Sequence, residues 1–183
     1  MKAKGRKLRT VDLAYMALCA ALIAVCSWIS VPIGEVPFTM QTFAVFAALG
    51  LLGGMRGMIS VCVYLLMGLV GLPVFAGFKG GPSALLGPTG GYLIGFIGMA
   101  AVYWLMTALL GDKRWVRVAA MALGLAVCYA FGTAWFVIVY SRSTGAVGWG
   151  TALGWCVIPY ILPDLIKLAL ALALTDRLAK HLK

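Results

Sequence analysis

Apolar residues in this chain fall in long unbroken runs, and polar residues gather in the short stretches between them. The first run, Val11 to Val31, stops before Pro32, and a short PIGEVP loop carries Glu35. A second run covers Phe38 to Met55, and Arg56 with its flanking glycine predicts a tight turn. Further runs cover Gly57 to Gly71, Gly90 to Leu110, Val118 to Ser141 and Tyr160 to Leu178. Trp149 to Ile158 is apolar too, but Pro159 and Pro163 set it apart and predict a short helix before the last run. A span needs roughly 20 residues, and 19 residues of helix rise roughly 28 Å, enough to cross. Lipid offers backbone groups no hydrogen-bond partner, so spans must be helices or a closed barrel. A barrel would alternate apolar and polar residues along each strand. The pattern therefore predicts an all-α integral membrane protein: a bundle of about six transmembrane helices, one domain over residues 1–183, with a long glycine-rich loop between helices 3 and 4.

Composition sharpens this picture. Of 183 residues, 63% are hydrophobic and 11% charged, against about 25% charged in soluble domains. The net charge of +10 follows topology and does not imply nucleic-acid binding. In the six-span register, twelve Lys and Arg lie on the side of the termini (Lys2 to Arg9, Arg56, Lys113, Arg114, Arg117, Arg177, Lys180, Lys183) and two, Lys79 and Arg142, on the other. The positive-inside rule then places both termini in the cytoplasm and the glycine-rich loop outside. The basic N-terminus resembles a secretory signal, but its apolar run is too long for one and is read as a retained span. Cys19, Cys26, Cys62, Cys128 and Cys156 form no C-x-x-C pair and His181 stands in the tail, so neither a metal nor a cofactor is expected.

Four features could carry chemistry. The segment LPVFAGFKGGPSALLGPTGGY, Leu72 to Tyr92, is too apolar for a free loop. Loops beyond about 12–15 residues are usually functional or disordered, so it is read as a lid over a ligand, with a plain connector as the alternative. Asp164 and Lys167 lie inside the last span, three residues apart on one helix face. Intramembrane charges are costly and mark functional sites by default; a purely structural ion pair is the alternative. Together they offer an acceptor and donors to a polar, uncharged head such as a urea. The segment PFTMQT sets Thr39, Gln41 and Thr42 at the opening of the second span, for ligand contact or for capping. Finally, Ala17 and Ala21, or Ala20 and Ala24, give small-x-x-x-small spacing that lets helices approach closely.

No G-x-x-x-x-G-K-[ST] loop is present, and no intramembrane serine–histidine pair, so neither a P-loop ATPase nor an intramembrane protease is expected. Neither a multi-span charge relay nor inverted repeats are evident, which counts against a self-driven carrier.

In this order, PFTMQT, GLVGLPVFAGFKGG, LLGPTGGYLIGF and IPYILPDLIKLALA resemble the BioY family, the biotin-binding S components of energy-coupling-factor (ECF) transporters. The resemblance runs over nearly the whole chain and rests most on GPTGGY and PDLIK. It implies a six-helix subunit, not an enzyme, in the cell membrane. Such a subunit captures biotin at the outer face and hands it to a transmembrane T component driven by two ABC-type ATPases. The resemblance carries the ureido-ring contacts to Asp164 and Lys167, and T-component docking to one of the two alanine pairs. A cavity with one ion pair, walls backed by Gly90 and Gly91, and rings such as Phe75 and Tyr92 suits biotin. Lys79, the cation of the glycine-rich loop, is assigned to the biotin carboxylate. The alternatives are a stand-alone facilitator or ion-coupled carrier, and an S component for another vitamin.

Overall fold

The structure, a computed structural model, describes residues 9–178; Lys2, Lys4, Arg6, Lys7, Lys180, His181 and Lys183 lie outside them. Within residues 9–178, eight α-helices order as α1 (Thr10–Trp28), α2 (Gln41–Leu52), α3 (Gly54–Leu69), α4 (Pro82–Leu86), α5 (Gly90–Leu110), α6 (Arg114–Ser143), α7 (Trp149–Cys156) and α8 (Ile158–Leu178). Among the described residues, four stretches are long and apolar enough to cross a membrane: α1, α5, α6 and the pair α7–α8. The helices α2 and α3 are apolar but shorter.

Between α1 and α2 the chain makes a small antiparallel hairpin, β1 (Ser30–Val31) against β2 (Phe38–Thr39). Pro32 and Pro37 end its strands, since proline donates no ladder hydrogen bond, and Gly34 turns its tip at φ 80°. The Tyr160 hydroxyl of α8 donates to the carbonyls of Ile33 (3.0 Å) and Val36, pinning the tip to the bundle.

The second span is shorter than its sequence predicts, and the turn after it falls at Gly53 rather than Arg56. Gly53 adopts φ 81°, ψ 172°, a conformation open to glycine and strained for other residues. Arg56 instead sits in the first turn of α3, where its Nη2 reaches Asp12 Oδ2 of α1 at 3.0 Å. A cation with a carboxylate in reach needs no exposed turn.

Leu72 to Thr89 is not an open loop. A 3-10 turn at Ala76–Phe78 and the short α4 give it shape. It is fastened to α3 by Gly81 N donating to Gly68 O at 2.7 Å. It is fastened to α1 by Trp28, whose Nε1 donates to Pro73 O at 2.8 Å and whose ring stacks on Phe78 with centroids 5.2 Å apart. The Val74 carbonyl accepts from Ser27 Oγ (2.5 Å) and from Tyr64 OH (3.1 Å). These bonds satisfy polar groups of an irregular backbone that secondary structure leaves unpaired.

Helices α5 and α6 pack closely because glycine faces bulk across their seam. A Cβ on Gly132 would meet the Tyr92 ring at 2.2 Å, so this glycine makes the slot for that ring. At the opposite end of the bundle from the hairpin, Arg117 Nη2 donates to Asp176 Oδ1 at 2.9 Å and ties the start of α6 to the end of α8. The centre is α2: Ala44, Val45, Phe46, Ala47, Ala48 and Leu49 are all fully buried.

Candidate ligand-binding site

Beneath the hairpin and the 72–89 segment lies a cavity of about 450 Å³, within the usual range of small-molecule sites, about 300–1,000 Å³. Its walls come from α2, α5, α6, α7 and α8 as well as from both of those segments. Glu35 of the hairpin and Lys79 of the 72–89 segment line it and are exposed, marking where it opens.

Asp164 and Lys167 line the cavity and are each only 4% exposed. Pro163 has no N–H to donate to the carbonyl one turn back, so the helix loses a hydrogen bond beside Asp164. Lys167 Nζ donates to Asp164 Oδ1 at 2.7 Å and to the Thr39 carbonyl at 2.6 Å, and stands 4.0 Å from the centroid of the Phe38 ring. Tyr129 of α6 donates its hydroxyl to the other carboxylate oxygen, Asp164 Oδ2, at 2.5 Å. Both charges are thus paired and further hydrogen-bonded, which buried ions require. Each carboxylate oxygen keeps an unused lone pair, so the cluster can accept from two N–H groups side by side.

Gln41, the first residue of α2, is 4% exposed and lines the same cavity. Its Nε2 donates to Tyr64 OH at 2.8 Å, leaving one N–H and the amide oxygen for a ligand. Thr39 contributes its backbone carbonyl to Lys167; its Oγ1 accepts from Gln41 N at a long 3.4 Å. The Phe75 ring is buried against Tyr64, edge to face, with centroids 5.5 Å apart. Tyr92 presents its ring while its hydroxyl pairs with Thr133 Oγ1 at 2.9 Å.

The structure brings together Thr39, Gln41, Phe75, Lys79, Tyr92, Asp164 and Lys167 around one space. Gly90 and Gly91 are not among its lining residues. A Cβ on Gly90 would meet Leu85 O at 1.8 Å, and one on Gly91 would meet the Trp135 side chain at 2.2 Å; they admit neighbouring chain and helix rather than a ligand. The two alanine pairs part ways as well. Ala20 and Ala24 are buried in the bundle, whereas Ala17 and Ala21 are exposed on the outer side of α1.

Tyr129 and Tyr160 escape sequence reasoning, because a tyrosine in an apolar run carries no sign of what its hydroxyl meets. Glu35 stands out there only as the acidic residue of a short loop.

The whole chain, residues 1–183, matches the BioY family model. The chain belongs to the BioY family. Among relatives, "Biotin transporter BioY" of Thermotoga maritima is 42% identical over 160 residues, covering 87% of this chain and 90% of that protein. "Probable biotin transporter BioY" of Pyrococcus horikoshii is 38% identical over 172 residues, covering 93% and 98%. The fold matches a 2.1 Å crystal structure of the S component for biotin from an ECF-type ABC transporter, with a TM-score of 0.83 and 28% identity over 98% of this chain and 95% of that one. These BioY relatives are transporters, and the apolar helices of this chain make it a multi-pass membrane protein.

Proposed function

We propose that this chain is the biotin-capturing S component of an ATP-driven uptake system, one transmembrane unit over residues 1–183. The observation that carries the reading is the buried Asp164–Lys167 pair facing the 450 Å³ cavity of a BioY-family chain. Biotin's ureido ring has two N–H groups and one carbonyl, and the pair with Gln41 offers acceptors and donors to match. Phe75 and Tyr92 flank the apolar sulfur ring and tail, and Lys79 at the opening meets the carboxylate.

In this reading the four long stretches cross the bilayer and α2 and α3 add two inner crossings. Both termini are cytoplasmic, in line with the charge asymmetry, so the cavity opens outward at the cell membrane. The exposed Ala17–Ala21 edge of α1 docks a T component, to which two ABC-type ATPases supply the driving force. Ala20 and Ala24 serve the chain's own packing.

The test is calorimetric titration of the detergent-purified chain with biotin, riboflavin and thiamine, followed by uptake into liposomes with and without the energising subunits. We expect saturable binding of biotin alone, and ATP-dependent uptake only with the partners. Binding of another vitamin in preference to biotin would overturn the ligand assignment. Uptake by the chain by itself would replace the S-component reading with a facilitator.

A further inference from the structure

Tyr129 is the one group from another helix that bonds the Asp164 side chain among the described residues. It reaches from α6, lines the cavity and is half-buried. Its hydroxyl proton is committed to Asp164 Oδ2, so toward the cavity this hydroxyl can only accept. The carboxylate receives donors on both oxygens, Lys167 on Oδ1 and Tyr129 on Oδ2. Two consequences follow. The carboxylate plane is fixed from two helices, which sets the direction of its free lone pairs. Its charge is also shared by two donors, one of them already a full cation.

A head group that docks here should therefore be neutral and carry two adjacent N–H donors. A cationic head of the same shape meets an ammonium with a carboxylate whose charge is largely spoken for, and like charges at close range in a dry site repel strongly. We infer that Tyr129 is a positioning and specificity residue: it orients Asp164 and biases the site toward a neutral cyclic urea over a cyclic guanidinium. This rests on the biotin reading above.

The experiment compares biotin with 2-iminobiotin, which keeps both ring N–H groups but carries a cyclic guanidinium at neutral pH. Both are titrated into the parent protein and Tyr129→Phe in detergent. The phenylalanine keeps the ring and removes the hydroxyl. We expect biotin to bind the variant about tenfold more weakly, the scale of one lost hydrogen bond to a charged group. We expect 2-iminobiotin to be weakened less or strengthened, so that the preference for biotin shrinks. A merely structural role would weaken both alike, and that result, or biotin binding within twofold of the parent, overturns the inference. Should Tyr129→Phe fail to fold, 3-fluorotyrosine incorporated at position 129 keeps the ring and strengthens the donor; the preference for biotin should then widen, and an unchanged preference overturns the inference. A parent protein that binds neither probe overturns the biotin reading itself, and this inference with it.

Discussion

The ring of Phe75 rests on Gly68 so closely that a Cβ at position 68 would lie 1.9 Å from a ring carbon. One wall of the cavity is therefore set by the absence of a side chain on α3. Gly68→Ala should push the ring out of place and strain the 72–89 segment, which also hangs from the Gly68 carbonyl. Overpacking of this kind costs about 1–3 kcal/mol. We expect a lower melting temperature in detergent and weaker biotin binding together, read by thermal shift with and without ligand. An unchanged melting temperature would show that the ring moves freely.

Asp164→Ala strands the Lys167 ammonium, and Lys167→Ala strands the carboxylate. Leaving a buried charge unpaired costs on the order of 2–5 kcal/mol, so each change should weaken biotin binding by at least about 30-fold. The double variant Asp164→Leu, Lys167→Met separates ligand binding from bundle stability, because apolar replacement of a buried ion pair is often neutral for folding. It should fold, stay monodisperse and fail to bind. Binding within threefold of the parent would make the pair structural.

The two alanine registers of α1 make opposite predictions. Ala17→Trp with Ala21→Trp changes an exposed edge and should leave stability within about 0.5 kcal/mol and biotin binding intact, yet abolish co-purification with the T component. Ala20→Leu, at a position 1% exposed, should destabilise the chain itself by about 1–3 kcal/mol. Retained co-purification of the Ala17, Ala21 variant would remove α1 from the docking surface.

The orientation is tested by reporter fusions after residue 183 and within the Gly111–Arg117 turn. Both should report cytoplasm. A periplasmic or extracellular signal from either would invert the register and turn the cavity inward.

What the sequence makes legible is what breaks its own pattern. Asp164 and Lys167 stand out because charge in an apolar run is rare, and the glycine-rich segment because it is both long and apolar. Partners far apart in the chain leave no such mark. Arg56 looks like a turn because nothing nearby hints at Asp12, 44 positions earlier, which lets it sit inside a helix. Tyr129 is 35 positions from Asp164 and reads like any other span aromatic. Gly90 and Gly91 sit in a motif beside the site and look like its walls, yet their missing side chains admit Leu85 and Trp135. The spacing of small residues also fits both faces of α1 equally, and only the packed bundle separates Ala17 and Ala21 from Ala20 and Ala24.

The helix α2 has twelve residues, a rise of about 18 Å, well short of a hydrocarbon core about 30 Å thick. Its middle is solvated by protein on every side, so lipid thickness exerts no pull on it. Such a segment is a poor independent candidate for the insertion machinery. It is joined to α3 through Gly53 and packs against α8. The place of α2 is therefore set by the helices around it, and Gln41, the residue that opens it, is held at the cavity by its bond to Tyr64 of α3.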